Sequence, residues 1–152
     1  MRKIFEVILP LLVIVLLVSG CSRNVGVNGK VTFSDDGAPV STGTVCFVQE
    51  SGSTLARGDL QPDGTYVIGT MKMSDGLLSG KYNVYLDNTK KQTDTKKTDE
   101  IDPITNKPKE IPIYEEQVDP KFHNKETSGL TVEIKGSTRF DFKVDRFNKT
   151  EK

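Results

Sequence analysis

Gly80-Lys81-Tyr82-Asn83-Val84-Tyr85-Leu86 sets the reading of this chain. Tyr82, Val84 and Leu86 alternate with Asn83 and Tyr85. A period of two puts one set of side chains on one face of a strand, whereas a helix would repeat near 3.6. The same alternation recurs on both sides. Val25, Val27, Val31 and Phe33 share a face with Gly29, and Val45 and Phe47 alternate with Thr44, Cys46 and Val48. Tyr66 and Ile68 alternate with Thr65 and Val67. Leu130, Val132 and Ile134 form a further set, and Phe140, Phe142 and Val144 another. No segment after residue 21 holds a helical period.

Turn residues punctuate these runs. Asp35-Asp36-Gly37-Ala38-Pro39 breaks the chain after Phe33, and Asp63-Gly64 is a hairpin signal between Leu60 and Tyr66. Lys135-Gly136-Ser137 is expected to link the last two strands tightly. Short alternating strands with such breaks predict an all-β fold, an antiparallel β-sandwich of about seven strands, packed as two layers. The sandwich is expected over residues 25–147, with a polar tail at 148–152. Residues 88–110 stand apart. They are rich in Lys, Thr and Asp and hold only Ile101 and Ile104 as aliphatics. This stretch is long for a loop. It is expected as a solvated insertion, or as a loop displayed for a ligand or partner.

The N-terminus has a different character. Arg2 and Lys3 precede an apolar run from Val7 to Val18 that only Pro10 interrupts. That run is short for a membrane span and suits a secretory signal. Leu17-Val18-Ser19-Gly20-Cys21 closes it and resembles the lipobox of bacterial lipoproteins. The resemblance implies a signal peptide over residues 1–20, with recognition by signal peptidase at Val18, Ser19 and Gly20. It implies acylation of Cys21 and a short tether over residues 21–24. An uncleaved anchor helix and an ordinary signal peptide cut near Gly20 are the alternatives. Two or more acyl chains hold a protein stably at a membrane, whereas one binds marginally. Ser22, not Asp, follows Cys21. By resemblance to Gram-negative lipoproteins, this favours the outer membrane of the cell envelope.

Composition excludes several function classes. Removing Arg2, Lys3 and Glu6 from the 21 basic and 21 acidic residues leaves a net charge of −1, which is not the basic footprint of a nucleic-acid binder. There are two cysteines, one histidine and no tryptophan, so a disulfide framework and a histidine-rich metal site are both disfavoured. With Cys21 acylated, Cys46 has no intramolecular partner and reads as a small, half-buried apolar residue on a strand. Asp35, Asp36, Asp59 and Asp63 could supply oxygen ligands to calcium, but their spacing matches no EF-hand and suits turns. His123 lies in a polar stretch and reads as a surface residue. Asn148-Lys149-Thr150 fits a eukaryotic glycosylation pattern and carries no weight beside a bacterial lipobox.

Several motifs occur in a recognisable order. Val27-Asn28-Gly29-Lys30-Val31-Thr32-Phe33 is followed by Gly37-Ala38-Pro39-Val40 and Gly43-Thr44-Val45-Cys46-Phe47. Asp63-Gly64-Thr65-Tyr66 and Gly80-Lys81-Tyr82-Asn83-Val84 come next. Together they resemble the carboxypeptidase regulatory-like domain, a transthyretin-like or prealbumin-like sandwich. Thr127-Ser128-Gly129-Leu130-Thr131-Val132 and Phe140-Asp141-Phe142 resemble planctomycete lipoproteins of this class. The resemblance implies a fold and no activity. The same fold hosts 5-hydroxyisourate hydrolase, whose several histidines and terminal Tyr-Arg-Gly-Ser motif are not found in this sequence. Nor does the sequence contain a His-Glu-x-x-His zinc motif.

The expectation is therefore a non-enzymatic, membrane-anchored envelope lipoprotein without a cofactor. Its membrane partner would be lipid, through Cys21, and its sandwich would bind or scaffold. The alternative is an accessory module recognising surface polysaccharide or an exported envelope protein. A hydrolase is the disfavoured third reading.

Overall fold

The computed structural model describes residues 24–52, 54–72 and 74–148. The signal segment 1–20, the recognition residues Val18, Ser19 and Gly20, Cys21, and tail residues 149–152 lie outside these.

The chain is all-β, and its strands form two four-stranded sheets and a separate two-stranded ribbon. In the first sheet, β1 (Val27–Phe33) is central. It pairs antiparallel with β4 (Thr65–Val67) and parallel with β9 (Thr138–Arg139) and β10 (Phe142–Val144). The second sheet is antiparallel throughout, in the order β3 (Leu55–Asp59), β2 (Thr44–Gln49), β5 (Gly80–Asp87), β8 (Leu130–Ile134). The ribbon pairs β6 (Lys90–Ile101) with β7 (Pro108–Glu116). The one helical element among the described residues is a single 3₁₀ turn, Pro120–His123, started by Pro120 and capped by the Asp119 carboxylate.

The predicted alternation is what fills the core. β1 buries Val27, Val31 and Phe33, and β5 buries Tyr82, Val84 and Leu86. Val45 and Phe47 of β2 face the same interior. Phe47 has its ring centroid 6.3 Å from Tyr66, 6.2 Å from Tyr82 and 6.2 Å from Phe140. Full burial of such a ring contributes about 1.5–3 kcal/mol, and tilted aromatic pairs add to it.

Two expectations need correction and one needs detail. The Lys135–Ser137 stretch links consecutive strands tightly, as expected, but from one sheet to the other. Ile134 ends β8 opposite Gly80 in one sheet, while Thr138 begins β9 beside Val27 in the other. The chain crosses between layers there, and its return along β1 makes the first sheet mixed, since parallel neighbours require a crossover. The strand count also exceeds seven, because β3, β9 and the ribbon carry too little apolar alternation to be read as strands. Finally, the polar insertion is a paired ribbon that reaches Glu116, beyond the expected boundary at residue 110.

The Asp63-Gly64 hairpin is present, but it joins the two sheets. Gly64 adopts φ of 80°, which suits a residue without Cβ. Its N–H donates to Gln61 at 2.8 Å, and Gln61 donates to Thr65 at 2.8 Å. Farther down, Arg57 and Gly69 exchange both backbone bonds at 2.9 Å. The two outer strands β3 and β4 thus close one side of the sandwich.

The sandwich has two distinct ends. The described chain enters at Val25, which bridges to Leu77 just before β5 begins. The ribbon leaves beyond Asp87, at the other end of β5. A strand of eight residues such as β5 spans roughly 25 Å. The ribbon returns through Val118, which bridges to Arg146 beyond the far end of β10.

Candidate functional site

The base of the ribbon holds a connected polar cluster. Thr89 precedes β6, Glu116 ends β7, and His123 ends the 3₁₀ turn. The Thr89 hydroxyl donates to Glu116 Oε1. His123 Nε2 lies 2.8 Å from the same hydroxyl oxygen and 3.6 Å from Glu116 Oε1. Because the hydroxyl hydrogen goes to the carboxylate, the network assigns the Nε2 hydrogen to a bond donated to Thr89. Gln117 completes the cluster. Its backbone N–H donates to Glu116 Oε1 at 3.2 Å, and its side-chain amide donates to the Thr89 carbonyl at 3.0 Å.

A hydroxyl, an imidazole and a carboxylate together are the residue set of nucleophilic catalysis. Here the Thr89 hydroxyl is taken up by the Glu116 carboxylate, and Thr89 is only 1% exposed. The arrangement ties the two legs of the ribbon to each other and to the 3₁₀ turn. His123, expected as a surface residue, is half-buried and part of this fastening. No pattern around residue 123 signals it, because its partners lie 34 and 7 positions away in the sequence.

A groove of about 510 Å³ lies where β3 and β4 meet. Arg57, Asp59, Val67, Lys72 and Asp87 line it. Asp75 shapes one wall by accepting the N–H groups of Thr70 at 2.5 Å and of Met71 and Lys72 at 3.1 Å each. These bonds, the one from Thr70 foremost, hold the Asp75 carboxyl below the usual range despite some desolvation. Asp59 accepts the Thr44 hydroxyl at 2.8 Å. The groove is open and carries both signs of charge.

The aspartates weighed for calcium do not converge. Asp35 and Asp36 both face Arg146, at 2.8 and 2.6 Å. Asp63 accepts the hydroxyl and N–H of Thr65 within its own turn. Among the described residues no group of three His, Cys, Asp or Glu side chains is arranged around a metal-sized site.

Cys46 is more buried than expected, at 1% exposure. It lies on the outer face of the second sheet, in register with Arg57 and Tyr85 on either side. Burial pushes its thiol pKa up, which suppresses the nucleophilic thiolate. Cys21 and the residues before it lie outside the described chain.

Comparison of the chain with protein-family models, with curated proteins and with solved structures finds no match.

Proposed function

We propose that this chain is a lipid-anchored protein of the bacterial cell envelope whose β-sandwich binds or scaffolds and performs no catalysis. The observation that carries the reading is Leu17-Val18-Ser19-Gly20-Cys21, placed directly after a short apolar run with a basic start. Signal peptidase would cut after Gly20, and Cys21 would carry the lipid. The ordered motifs from Val27 to Val84 support kinship with carboxypeptidase regulatory-like domains.

Two structural facts suit this role. Residues 22–24 are the whole connection between Cys21 and the first bridged residue, Val25. The four steps from Cys21 to Val25 reach at most about 14 Å, so an anchored sandwich would sit against the headgroups. The ribbon departs from the end opposite Val25, so it would point away from such an anchor. That polarity favours the accessory-module form of the reading, in which the ribbon presents a contact surface to a polysaccharide or envelope protein.

The test is Cys21→Ser, expressed in a lipoprotein-processing bacterium. Incorporation of labelled fatty acid should vanish, and the domain should move from the membrane fraction to the soluble fraction. Unchanged membrane association in that variant overturns the anchor. Deleting residues 90–116 should separately remove cross-linked envelope partners, and an unaltered partner set overturns the ribbon's role.

A further inference from the structure

The groove between β3 and β4 takes no part in fastening the ribbon. Its walls meet at a single bridge, Arg57 with Gly69, and no ladder joins the two strands beyond it. One wall continues across the second sheet, where Asp59, Thr44 and Asp87 stand in one row on adjacent strands. Neighbouring strands lie about 4.8 Å apart, so the Cα atoms of the two aspartates are roughly 10 Å apart, and Arg57 is about 7 Å back along β3 on the same face.

Four charged residues line the groove, Arg57 and Lys72 against Asp59 and Asp87, and their charges cancel. A net anion or a net cation loses to one pair what it gains from the other. The polar side chains remain open to a ligand. Arg139 and Arg146 pair with aspartates, but Arg57 has no such partner among the described residues, and there the Gln61 and Asn88 side-chain amides make no hydrogen bond. Asp59 uses one oxygen for the Thr44 hydroxyl, and Asp87 one for the Asn88 N–H, each at 2.8 Å. Each carboxylate keeps its second oxygen as an acceptor. Donors and acceptors are thus interleaved beside two exposed apolar side chains, Val67 at 50% and Met71 at 94%.

The chemistry that fits is a ligand whose polar groups each donate and accept. A sugar hydroxyl does both, and a sugar ring adds an apolar C–H face. We propose that this groove binds a neutral oligosaccharide stretch of a longer polysaccharide. Asp59 and Asp87 accept its hydroxyls, Arg57, Gln61 and Asn88 donate to them, and Val67 and Met71 cover a ring face. The walls are held in advance, by the three N–H bonds to Asp75 and by the Thr44 bond to Asp59. The aromatic ring of Tyr66 is buried and gives no stacking platform, so the affinity should be about millimolar. This gives the polysaccharide form of the accessory-module reading a site. It requires neither lipid on Cys21 nor the ribbon, so its failure and theirs are told apart.

The experiment titrates the full chain, labelled with nitrogen-15, in a detergent without a sugar headgroup. The probes are maltohexaose, cellohexaose, laminarihexaose and mannohexaose, each to about 10 mM. At least one should shift the amide signals of Arg57, Asp59, Val67 and Asn88 and leave those of Ile111 and Lys143 in place. Because no net charge is paired, the affinity should change less than about twofold when salt is raised tenfold. Arg57→Ala and Asn88→Gly should each weaken binding by about fivefold, as loss of one hydrogen bond does. Glycine retains the φ of 53° at residue 88, and an otherwise unchanged amide spectrum shows that each variant folds. Lys143→Ala, on the other sheet, should bind as wild type does. Alanyl-alanine is the competing probe, with an ammonium and a carboxylate. Shifts from it and from none of the sugars, no shift from any probe, sugar shifts confined to residues 90–116, or unaltered affinity in both groove variants overturns the proposal.

Discussion

The Tyr66 hydroxyl donates to the carbonyl oxygen of Phe140 across 2.5 Å, in the middle of the first sheet. Tyr66 stands on β4 opposite Gly29 of β1, and Phe140 sits in the gap between β9 and β10. The outer strand is interrupted there, and its carbonyl turns inward over Gly29. The tyrosine, 1% exposed, satisfies that carbonyl, which would otherwise be buried without a partner.

Tyr66→Phe should therefore destabilise the domain by about 1–3 kcal/mol, the cost of an unpaired buried acceptor. Urea unfolding followed by circular dichroism measures it. Burial raises the Tyr66 pKa well above the ordinary tyrosine value near 10. Above that pH the unfolded chain loses a proton that the folded chain keeps. Stability contributed by Tyr66 is thus intact below pH 10 and falls as pH rises, by about 1.4 kcal/mol per unit. The variant should show a shallower alkaline loss than wild type.

Gly29→Ala should be worse than its size suggests. A Cβ at Gly29 would lie 2.0 Å from the Phe140 oxygen and 2.8 Å from the Tyr66 hydroxyl. The bulged carbonyl and its hydrogen bond could not both remain. A loss of at least about 2–3 kcal/mol is expected, read as a lower urea midpoint. A midpoint within experimental error of wild type would contradict the arrangement.

Thr89→Val keeps the shape of a side chain that is 1% exposed but removes the hydroxyl shared by Glu116 and His123. The effect should be local, since the ribbon contributes no residue to the main core. Amide exchange within residues 90–116 should speed up roughly tenfold, while the sandwich strands keep their protection. Uniform acceleration through β2 and β5 would place the cluster in the global fold instead.

Arg146 lies 3.8 Å above the Phe33 ring and reaches Asp35 and Asp36 with different guanidinium nitrogens. Lysine cannot reproduce both the fork and the stacking. Arg146→Lys should lower the melting temperature and reduce its dependence on salt. The Asp36 carboxyl is held below its ordinary pKa, first by the Ala38 N–H and then by Arg146. Its contribution is present above the ordinary carboxylate range and lost as pH falls through it. The acid side of the melting profile should flatten in the variant.

Much of the architecture was legible because burial imposes a period. Val27, Val31 and Phe33, then Tyr82, Val84 and Leu86, announce their strands without knowledge of neighbours, as does the turn chemistry at Asp63-Gly64. The ribbon was not legible as a pair of strands. Both its faces are solvated, so β6 carries no apolar alternation and β7 only the exposed pair Ile111 and Ile113, and cross-strand partners such as Lys97 and Glu110 do not advertise their pairing. The partners of His123 were not legible for a related reason. Its environment is made by Thr89 and Glu116, which only the return of the ribbon brings together.

By itself the sequence determined that the chain builds a two-layer β-structure, since side-chain alternation and local turn preferences act over a few residues. It also carries the Leu17–Cys21 run on which the proposed anchor rests, which is read from linear order alone. Tertiary structure decided which strands are neighbours. It alone sends the chain between layers after Ile134 and lays β9 and β10 parallel to β1. It alone sets the Tyr66 hydroxyl against the Phe140 carbonyl, 74 residues apart. Those choices depend on how two sheets pack and on which buried polar groups find partners, and such long-range terms leave no periodic trace in the sequence.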